Sequence, residues 1–278
     1  MSVSAIDADQ APLVPDDSGT APRRSVRSRV VDHIFTDGIV VLLLVAWFYG
    51  SKHVAPYILP SPGSVFDKSL DLLGRDPELA RHTLVTTGRV FLAVGLSMVI
   101  GAVLVLIAHY VPLAKGFVTR RFMPFMNAMP ALGWAILGLF WFRISSSGVI
   151  FVEVAILLPF VMINLWEGLK GLDDDTMEMT SSFTRSRTKA LRKIVLPLLL
   201  PYVFAAARIS FGTAWKVALF AELFSAPSGL GYLINLAQQL SDTVTVFSAI
   251  AVIVIFVFLF EWLVFDQLEK VLFRHRRA

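Results

Sequence analysis

The chain has 278 residues, of which 56% are apolar, and its 25 basic and 21 acidic residues give a formal net charge of +4. One soluble core of this size cannot bury so much apolar side chain, which excludes an ordinary soluble domain and indicates that much of the chain faces lipid. The sequence contains no cysteine, which excludes disulfide frameworks, iron–sulfur clusters and cysteine-ligated zinc.

The N-terminal 29 residues are rich in Asp, Pro, Ser and Arg. They contain no early apolar run of the kind that a cleavable signal peptide needs. We therefore predict a disordered cytosolic tail over residues 1–29 and one membrane domain over residues 30–278.

Six apolar stretches approach the roughly 20 residues that cross a hydrocarbon core about 30 Å thick. They are residues 34–49, 83–108, 122–142, 149–166, 198–224 and 244–265. Pro and Gly interrupt the third and fourth stretches, which spanning helices tolerate when neighbouring helices satisfy the freed backbone groups. The sequence therefore predicts an all-α, polytopic membrane protein with about six transmembrane helices.

The distribution of Lys and Arg predicts the orientation, since positively charged loops stay in the cytoplasm. With the N-terminus inside, most basic residues fall in the tail, in the loops after the second and fourth spans, and at the C-terminus. Both termini are thus predicted to be cytoplasmic in an inner-membrane protein. Because the basic residues are spread over four short segments rather than one stripe, we expect no nucleic-acid binding.

The segment between the first two spans predicts a short amphipathic helix, because apolar or small side chains recur there at helical spacing. These are Val65, Phe66, Ser69, Leu70 and Leu73. Such a helix lies at the outer membrane surface or packs against the spans, and we favour packing.

The loop between the fourth and fifth spans is about thirty residues long and has its own structural signals. Asp175 followed three residues later by Glu178 has the form of a capping box at the start of a helix. Basic residues follow, and Pro197 and Pro201 mark the start of the fifth span. The pattern predicts a helix, a turn and a second helix that enters the membrane.

This loop resembles the signature loop of permease subunits in binding-protein-dependent ATP-binding-cassette importers. That signature is Glu-Ala-Ala, three residues, Gly, nine residues, and Ile-x-Leu-Pro. Here it reads Glu178-Met179-Thr180, then Thr184 at the Gly position, then Ile194 to Pro197 as Ile-Val-Leu-Pro. Both alanines and the glycine of the signature are replaced.

Three further segments are similar to the branch of this family that imports sulfonates, taurine and nitrate. They are LPSP at residues 59–62, HTLVTTGRV at 82–90 and TAWKVALFAELFSAPSGLGYLI at 213–234. The resemblance runs from about residue 30 to the C-terminus. It implies that residues 30–278 form a permease domain that translocates a small solute, with a small anion such as a sulfonate or nitrate as the expected cargo.

The resemblance implies that the loop contains a coupling helix, which docks on a separate ATPase. The residues expected to make this contact are Met177, Glu178, Met179, Thr180, Phe183, Thr184 and Arg185. The implied partners are a second copy of the permease, two ATP-binding-cassette ATPases, an extracytoplasmic solute-binding protein and membrane lipid. The alternative interpretation of the loop is a solvated cytosolic helix whose basic residues only set the topology.

No enzymatic activity is predicted for this chain. It lacks the G-x-x-x-x-G-K-[ST] phosphate loop, so ATP and Mg²⁺ are expected on the partner ATPase and no cofactor on the permease. The five histidines (His33, His53, His82, His109 and His275) are scattered singly, and no metal site is predicted.

Charged residues inside a membrane are expensive and therefore candidates for function. At 100° per residue, Arg208 and Glu222 in the fifth span are about 40° apart, so they share a stripe that one interpretation places on a pathway. In the other interpretation Arg208 snorkels, while Glu222 caps the helix or pairs with another helix. Arg89 is predicted to be a snorkelling anchor, and the role of Glu153 stays open.

The candidate pathway or gate residues are Arg208, Trp215, Lys216, Glu222, Gly229 and Gly231. The two glycines of the segment from Gly229 to Ile234 permit a tight turn that forms an external gate or a simple connection. The alternative function is a secondary transporter driven by an ion gradient. Such proteins commonly contain inverted repeats and several buried carboxylates, and the sequence shows no repeat.

Overall fold

A computed structural model describes the backbone of residues 26–171 and 195–272, and the side chains of residues 38–171, 195–270 and 272. All regular structure in these ranges is helical. The prediction of an all-helical membrane protein is therefore confirmed. The chain divides into two units, residues 1–49 and 50–278.

The first helix, α1 (Val26–His53), begins a few residues before the predicted start of the membrane domain. It ends in the apolar stretch Gly38–His53. The first predicted span, residues 34–49, overlaps this stretch from residue 38 onward.

A short helix, α2 (Pro62–Leu70), follows and begins at Ser61, whose hydroxyl accepts a hydrogen bond from the Ser64 N–H at 3.1 Å. It buries Val65 and Ser69, as the packing interpretation predicted, whereas Phe66 is exposed. A π-helical turn (Asp71–Arg75) then leads to the long helix α3 (Pro77–Tyr110). The carboxylate of Asp76 caps the start of α3 by accepting from the Glu78 and Leu79 N–H groups.

The third predicted span differs from its prediction, because it is a bent pair of helical segments. The first segment comprises α4 (Pro112–Phe117), a π-helical turn (Val118–Phe122) and α5 (Met123–Ala128), and the second is α6 (Ala131–Phe142). The two segments meet at 88°. Pro130 explains the bend, because the residue before a proline avoids helical geometry, and Met129 is extended at ψ 124°.

The centre of the second unit is α7 (Ser146–Lys170), which packs against α3, α6 and α8 (Leu196–Ser225). The chain continues with α9 (Leu230–Gln239) and α10 (Thr243–Phe260). A π-helical turn (Glu261–Phe265) then leads into α11 (Asp266–Leu272). About 61% of the apolar window of α7 is buried, against 28% for α3, so α7 is the core helix and its neighbours face lipid.

Within the described ranges, four helices are long and apolar enough to cross a membrane, and the bent pair adds a fifth candidate. The sixth predicted span depends on the shorter apolar stretch of α1. A count of six therefore stays a prediction.

Candidate functional site

Two buried charges in the second unit, Arg89 of α3 and Glu222 of α8, form an ion pair between helices. Arg89 Nη1 donates to Glu222 Oε1 at 2.6 Å, and the two side chains are 4% and 0% exposed. The prediction that Arg89 is a snorkelling anchor was wrong. Of the interpretations of Glu222, pairing with another helix is confirmed.

The remaining N–H groups at the end of the Arg89 guanidinium hold the segment between α8 and α9. Nη1 donates to the carbonyl oxygen of Ser228 at 2.6 Å, and Nη2 donates to the hydroxyl oxygen of Ser228 at 3.2 Å. Nη2 also donates to the Ser146 hydroxyl at the start of α7, at 2.8 Å. One side chain of α3 thereby ties together the ends of α7, α8 and α9.

The Glu222 carboxylate receives two further donors besides Arg89. The Thr86 hydroxyl lies 2.9 Å from Oε2, and the Gly231 N–H donates to Oε2 at 2.9 Å. The Thr86 oxygen in turn accepts from the Leu230 N–H at 2.8 Å. Glu222 therefore satisfies one of the free N–H groups at the start of α9, and a negative charge is favourable at that position.

The two glycines of this segment are required by its geometry. Gly229 has φ of 118°, a conformation that L residues rarely adopt, and its N–H donates to His82 Nδ1 at 3.0 Å. At Gly231 an added Cβ would lie 2.5 Å from the carbonyl oxygen of Leu219, which is too close. The turn interpretation of residues 229–234 thus has a structural reason, since α9 can approach Glu222 only with glycine at these positions.

We call the side chains and backbone groups that meet here the Arg89–Glu222 cluster. Its members are His82, Thr86, Arg89, Ser146, Glu222, Ser228, Gly229, Leu230 and Gly231. A buried pair of charges is retained only where hydrogen bonds compensate the lost hydration, and this cluster supplies them.

A second carboxylate is buried close to this cluster. Glu153 of α7 is 0% exposed, and neither of its carboxylate oxygens has a hydrogen-bond partner among the described residues. It lies within electrostatic range of both Glu222 and Arg89.

Arg208, the other predicted pathway cation, does not join the cluster. It lies fourteen residues before Glu222 on α8, which corresponds to about 21 Å along a helix. Its Nε donates to Glu261 at 2.6 Å, Nη1 donates to Glu269 at 2.7 Å and Nη2 donates to Asp266 at 3.1 Å. Arg208 thus connects α8 to the end of α10 and to α11, and its charge is outnumbered by carboxylates.

The remaining two predicted pathway residues belong neither to the Arg89–Glu222 cluster nor to the contacts of Arg208. Trp215 is fully buried and stacks on Phe256 of α10, with ring centroids 5.3 Å apart. Lys216 is exposed on α8. The structure therefore brings together Glu222, Gly229 and Gly231 from the predicted set, and places Arg208, Trp215 and Lys216 in other surroundings.

A cavity of about 920 Å³ lies between α4, α5 and the last turns of α7. Its charged lining residues are Lys115, Arg120, Glu167 and Lys170. Lys170 Nζ donates to Glu167 at 2.7 Å, while Lys115 lies 5.9 Å from the ring centroid of Trp166. Lys115 and Arg120 have no carboxylate partner within the described ranges, so the cavity has a positive balance.

The predicted coupling residues, from Met177 to Arg185, lie outside the described residues. The two helix ends that flank residues 172–194 are described, and they pack closely. An added Cβ at Gly168 would lie 2.7 Å from the Tyr202 ring, so α7 and α8 approach each other at the base of this loop as only glycine allows.

Sequence reasoning missed Thr86, Ser146 and Ser228 as parts of the site. Ser and Thr are common in membrane helices and have no distinguishing pattern here. The available signal was the unusual Arg89, because a cation within a span requires a partner. The sequence alone does not indicate which of the distant carboxylates that partner is.

The fold and the buried site define a polytopic helical membrane component with an interior ion-pair cluster and no catalytic constellation among the described residues. Residues 105–274 match the family of binding-protein-dependent transport system inner membrane components. Because the match covers more than half of the chain, the chain belongs to this family.

The relatives and a solved structure agree with this membership. The chain is 29% identical to the taurine transport system permease protein TauC of Escherichia coli over 80% of its length and 82% of that relative. It is 27% identical to the aliphatic sulfonates transport permease protein SsuC of Bacillus subtilis, described as putative, over 72% and 71%. A chain of the MetNI methionine ABC transporter in inward-facing conformations has the same fold, with a TM-score of 0.60, 18% identity, and coverage of 70% of this chain and 95% of that chain.

Membership settles the coarse function of the chain. It is an inner membrane component of an ATP-binding-cassette importer, a non-catalytic subunit that works with a separate ATPase and a binding protein. The resemblance inferred from the loop and the three further segments is confirmed.

Proposed function

We propose that this chain is the permease subunit of an importer for a small anion such as a sulfonate or nitrate. The observation that carries the proposal is the family match over residues 105–274, and the relatives named for taurine and aliphatic sulfonates support the substrate class. The chain acts as a homodimer with two ATPases and one solute-binding protein. ATP and Mg²⁺ bind to the ATPases, and this chain binds no cofactor.

The proposed topology has six spans with both termini in the cytoplasm. The bias of Lys and Arg toward the tail, the loops after the second and fourth spans, and the C-terminus supports it. In this orientation the cavity lined by Lys115 and Arg120 opens toward the cytoplasm, and the Arg89–Glu222 cluster lies near the periplasmic ends of α3, α7 and α8. Residues 1–29 form a cytosolic tail, and residues 30–278 form the permease domain.

The charge of the cavity also favours an anionic cargo. Arg208 gives little support for an anionic cargo, since Glu261, Asp266 and Glu269 surround it. Lys115 and Arg120 are better placed, because they line an open volume of about 920 Å³ and keep their positive charge available. A cationic cavity raises the local concentration of small anions.

The size and the exposed surface of one subunit support the proposed homodimer. One subunit of four to five described spans is small for an alternating-access conduit, and its lipid-facing helices expose many apolar side chains that suit membrane lipid or a second copy. A second copy places a pathway between two equivalent subunits. A role in the translocation pathway or gate stays a prediction for Arg208, Trp215, Lys216, Glu222, Gly229 and Gly231.

Reconstitution tests the proposed function. A tag on this chain is used to purify it with its companions, and the complex is placed in proteoliposomes with the binding protein. We expect uptake of labelled taurine, an alkyl sulfonate or nitrate. This uptake should require ATP on the side of the membrane where the ATPases lie, and it should persist when ionophores collapse all ion gradients. Uptake by this chain alone, driven by an ion gradient, would instead establish the secondary transporter.

The same assay tests the coupling loop. We expect Phe183→Asp, or Met179→Asp, to leave membrane insertion intact and to reduce ATP-driven uptake by about tenfold or more, because an apolar anchor at an interface contributes about 2 kcal/mol or more. The matched control is Phe183→Leu, which keeps an apolar side chain and is expected to retain most uptake. Normal uptake by both Asp variants would contradict the coupling role of residues 177–185.

A further inference from the structure

Glu153 is a fully buried acid without a hydrogen-bond partner among the described residues. It lies in the first third of α7, its side chain is 0% exposed, and both carboxylate oxygens lack a hydrogen bond within the described part of the chain. An ionised carboxylate in such surroundings loses its hydration without compensation, which costs far more than burying a neutral polar group. The arrangement therefore requires an explanation.

The neighbouring cation, Arg89, does not compensate the charge that an ionised Glu153 would carry. All four N–H groups on the two terminal nitrogens of Arg89 face acceptors, namely Glu222, the Ser228 carbonyl, the Ser228 hydroxyl and the Ser146 hydroxyl. Its Nε is buried and makes no hydrogen bond to any described residue. Arg89 is thus committed to Glu222 and to the chain between α8 and α9.

Glu222 is the better ionised of the two acids. It accepts hydrogen bonds from Arg89, from Thr86 and from the Gly231 N–H, and each of these donors stabilises a negative charge. One guanidinium faces two carboxyl groups in a buried volume, and two neighbouring carboxylates cannot both ionise without further positive charge.

Within the described ranges, the helices packed against α7 offer no other compensating charge near Glu153. α5 and α6 contain no charged residue, and the charged groups that act on Glu153 are Arg89 from α3 and Glu222 from α8. The only neutral arrangement of these three groups has one positive charge, one negative charge and one proton.

We propose that Glu153 is a proton-binding site, with a neutral carboxylic acid beside the ionised Arg89–Glu222 pair. The ligand is a single proton, which gives the buried cluster a net charge of zero. The inference concerns the buried cluster alone and does not depend on the proposed cargo or on its source of energy.

Infrared spectroscopy of the full-length protein in lipid nanodiscs at neutral pH tests the site directly. We expect the C=O stretching band of a protonated carboxylic acid in the wild-type spectrum. Glu153→Gln is expected to remove this band. Glu222→Gln removes the negative charge that balances Arg89, so Glu153 is expected to ionise in that variant and the band to weaken or disappear. Glu153→Asp keeps a carboxyl group and is expected to shift the band.

Thermal unfolding of the same samples is the second measurement. Glutamine matches a neutral glutamic acid in size and charge, so Glu153→Gln is expected to unfold within a degree or two of the wild type. Glu222→Gln breaks the hydrogen-bonded ion pair with Arg89, for which Glu153 has no comparable set of hydrogen bonds, and is expected to unfold at a clearly lower temperature.

Two outcomes overturn the proposal. The first is a wild-type spectrum without the band, or with a band that survives in Glu153→Gln. The second is a Glu153→Gln protein that fails to accumulate or is destabilised as strongly as Glu222→Gln, because that result shows an ionised Glu153 bound through a partner such as ordered water.

Discussion

Replacing Arg89 with glutamine is expected to lower the free energy of unfolding by about 3–5 kcal/mol, the cost of removing one partner from a buried ion pair. The substitution leaves the Glu222 carboxylate, which is 0% exposed, without its cation. It also removes the donors to Ser228 and Ser146, so the ends of α7, α8 and α9 lose their common contact. Thermal unfolding of the detergent-purified protein measures the effect.

Two controls separate the effect of breaking the buried ion pair from the effect of removing an arginine in general. Arg75→Gln removes a guanidinium that is 55% exposed and paired with Asp71, and we expect only a small change because water screens such pairs. The double variant Arg89→Met and Glu222→Met removes both charges, and we expect it to recover part of the lost stability. Equal losses for Arg89→Gln and Arg75→Gln would contradict the assignment.

The positions of the long helices could be predicted from the sequence, because a membrane span requires an apolar stretch of fixed length. The second, fourth and fifth predicted spans each fall within one described helix, and the sixth falls within α10 and the π-helical turn that follows it. The third was predicted as one helix. Pro and Gly were recognised in this stretch but interpreted as tolerated within one spanning helix, whereas the chain bends by 88° at Met129-Pro130.

The partners of the buried charges could not be predicted, because helical periodicity describes one helix at a time. Ideal helix geometry places Arg208 and Glu222 about 40° apart on α8, and yet each contacts a different neighbour. Arg89 and Glu222 are separated by 133 residues, so only the packing of α3 against α8 brings them together. A cation in a span predicts that a partner exists, and tertiary structure decides which one.

Prediction from the sequence was limited in the same way for the segment that follows α8. Gly229 and Gly231 could be recognised as turn residues, since glycine permits conformations that other residues avoid. The sequence left open whether the turn is a gate or a connection. The structure adds that both glycines lie directly against Glu222, so the geometry of the turn and the ion pair depend on each other.

This dependence predicts a large effect for a single methyl group. Gly231→Ala is expected to lower the free energy of unfolding by about 1–3 kcal/mol, the usual cost of overpacking a close contact. Its Cβ would lie 2.5 Å from the Leu219 carbonyl oxygen and 2.5 Å from the Cβ of Glu222. Because one of these atoms belongs to the backbone of α8, α9 must move away and lengthen the 2.9 Å hydrogen bond from the Gly231 N–H to Glu222.

Gly212→Ala is the matched control, since Gly212 lies inside α8 and an added Cβ would meet no atom within 4 Å. There the same substitution is expected to stabilise the helix by about 1 kcal/mol, because alanine restricts the unfolded chain more than glycine does. The two variants are thus expected to change stability in opposite directions. Thermal unfolding of both proteins measures the two changes. If Gly231→Ala is as stable as Gly212→Ala, α9 does not depend on its close approach to Glu222, and the cluster is held by Arg89 alone.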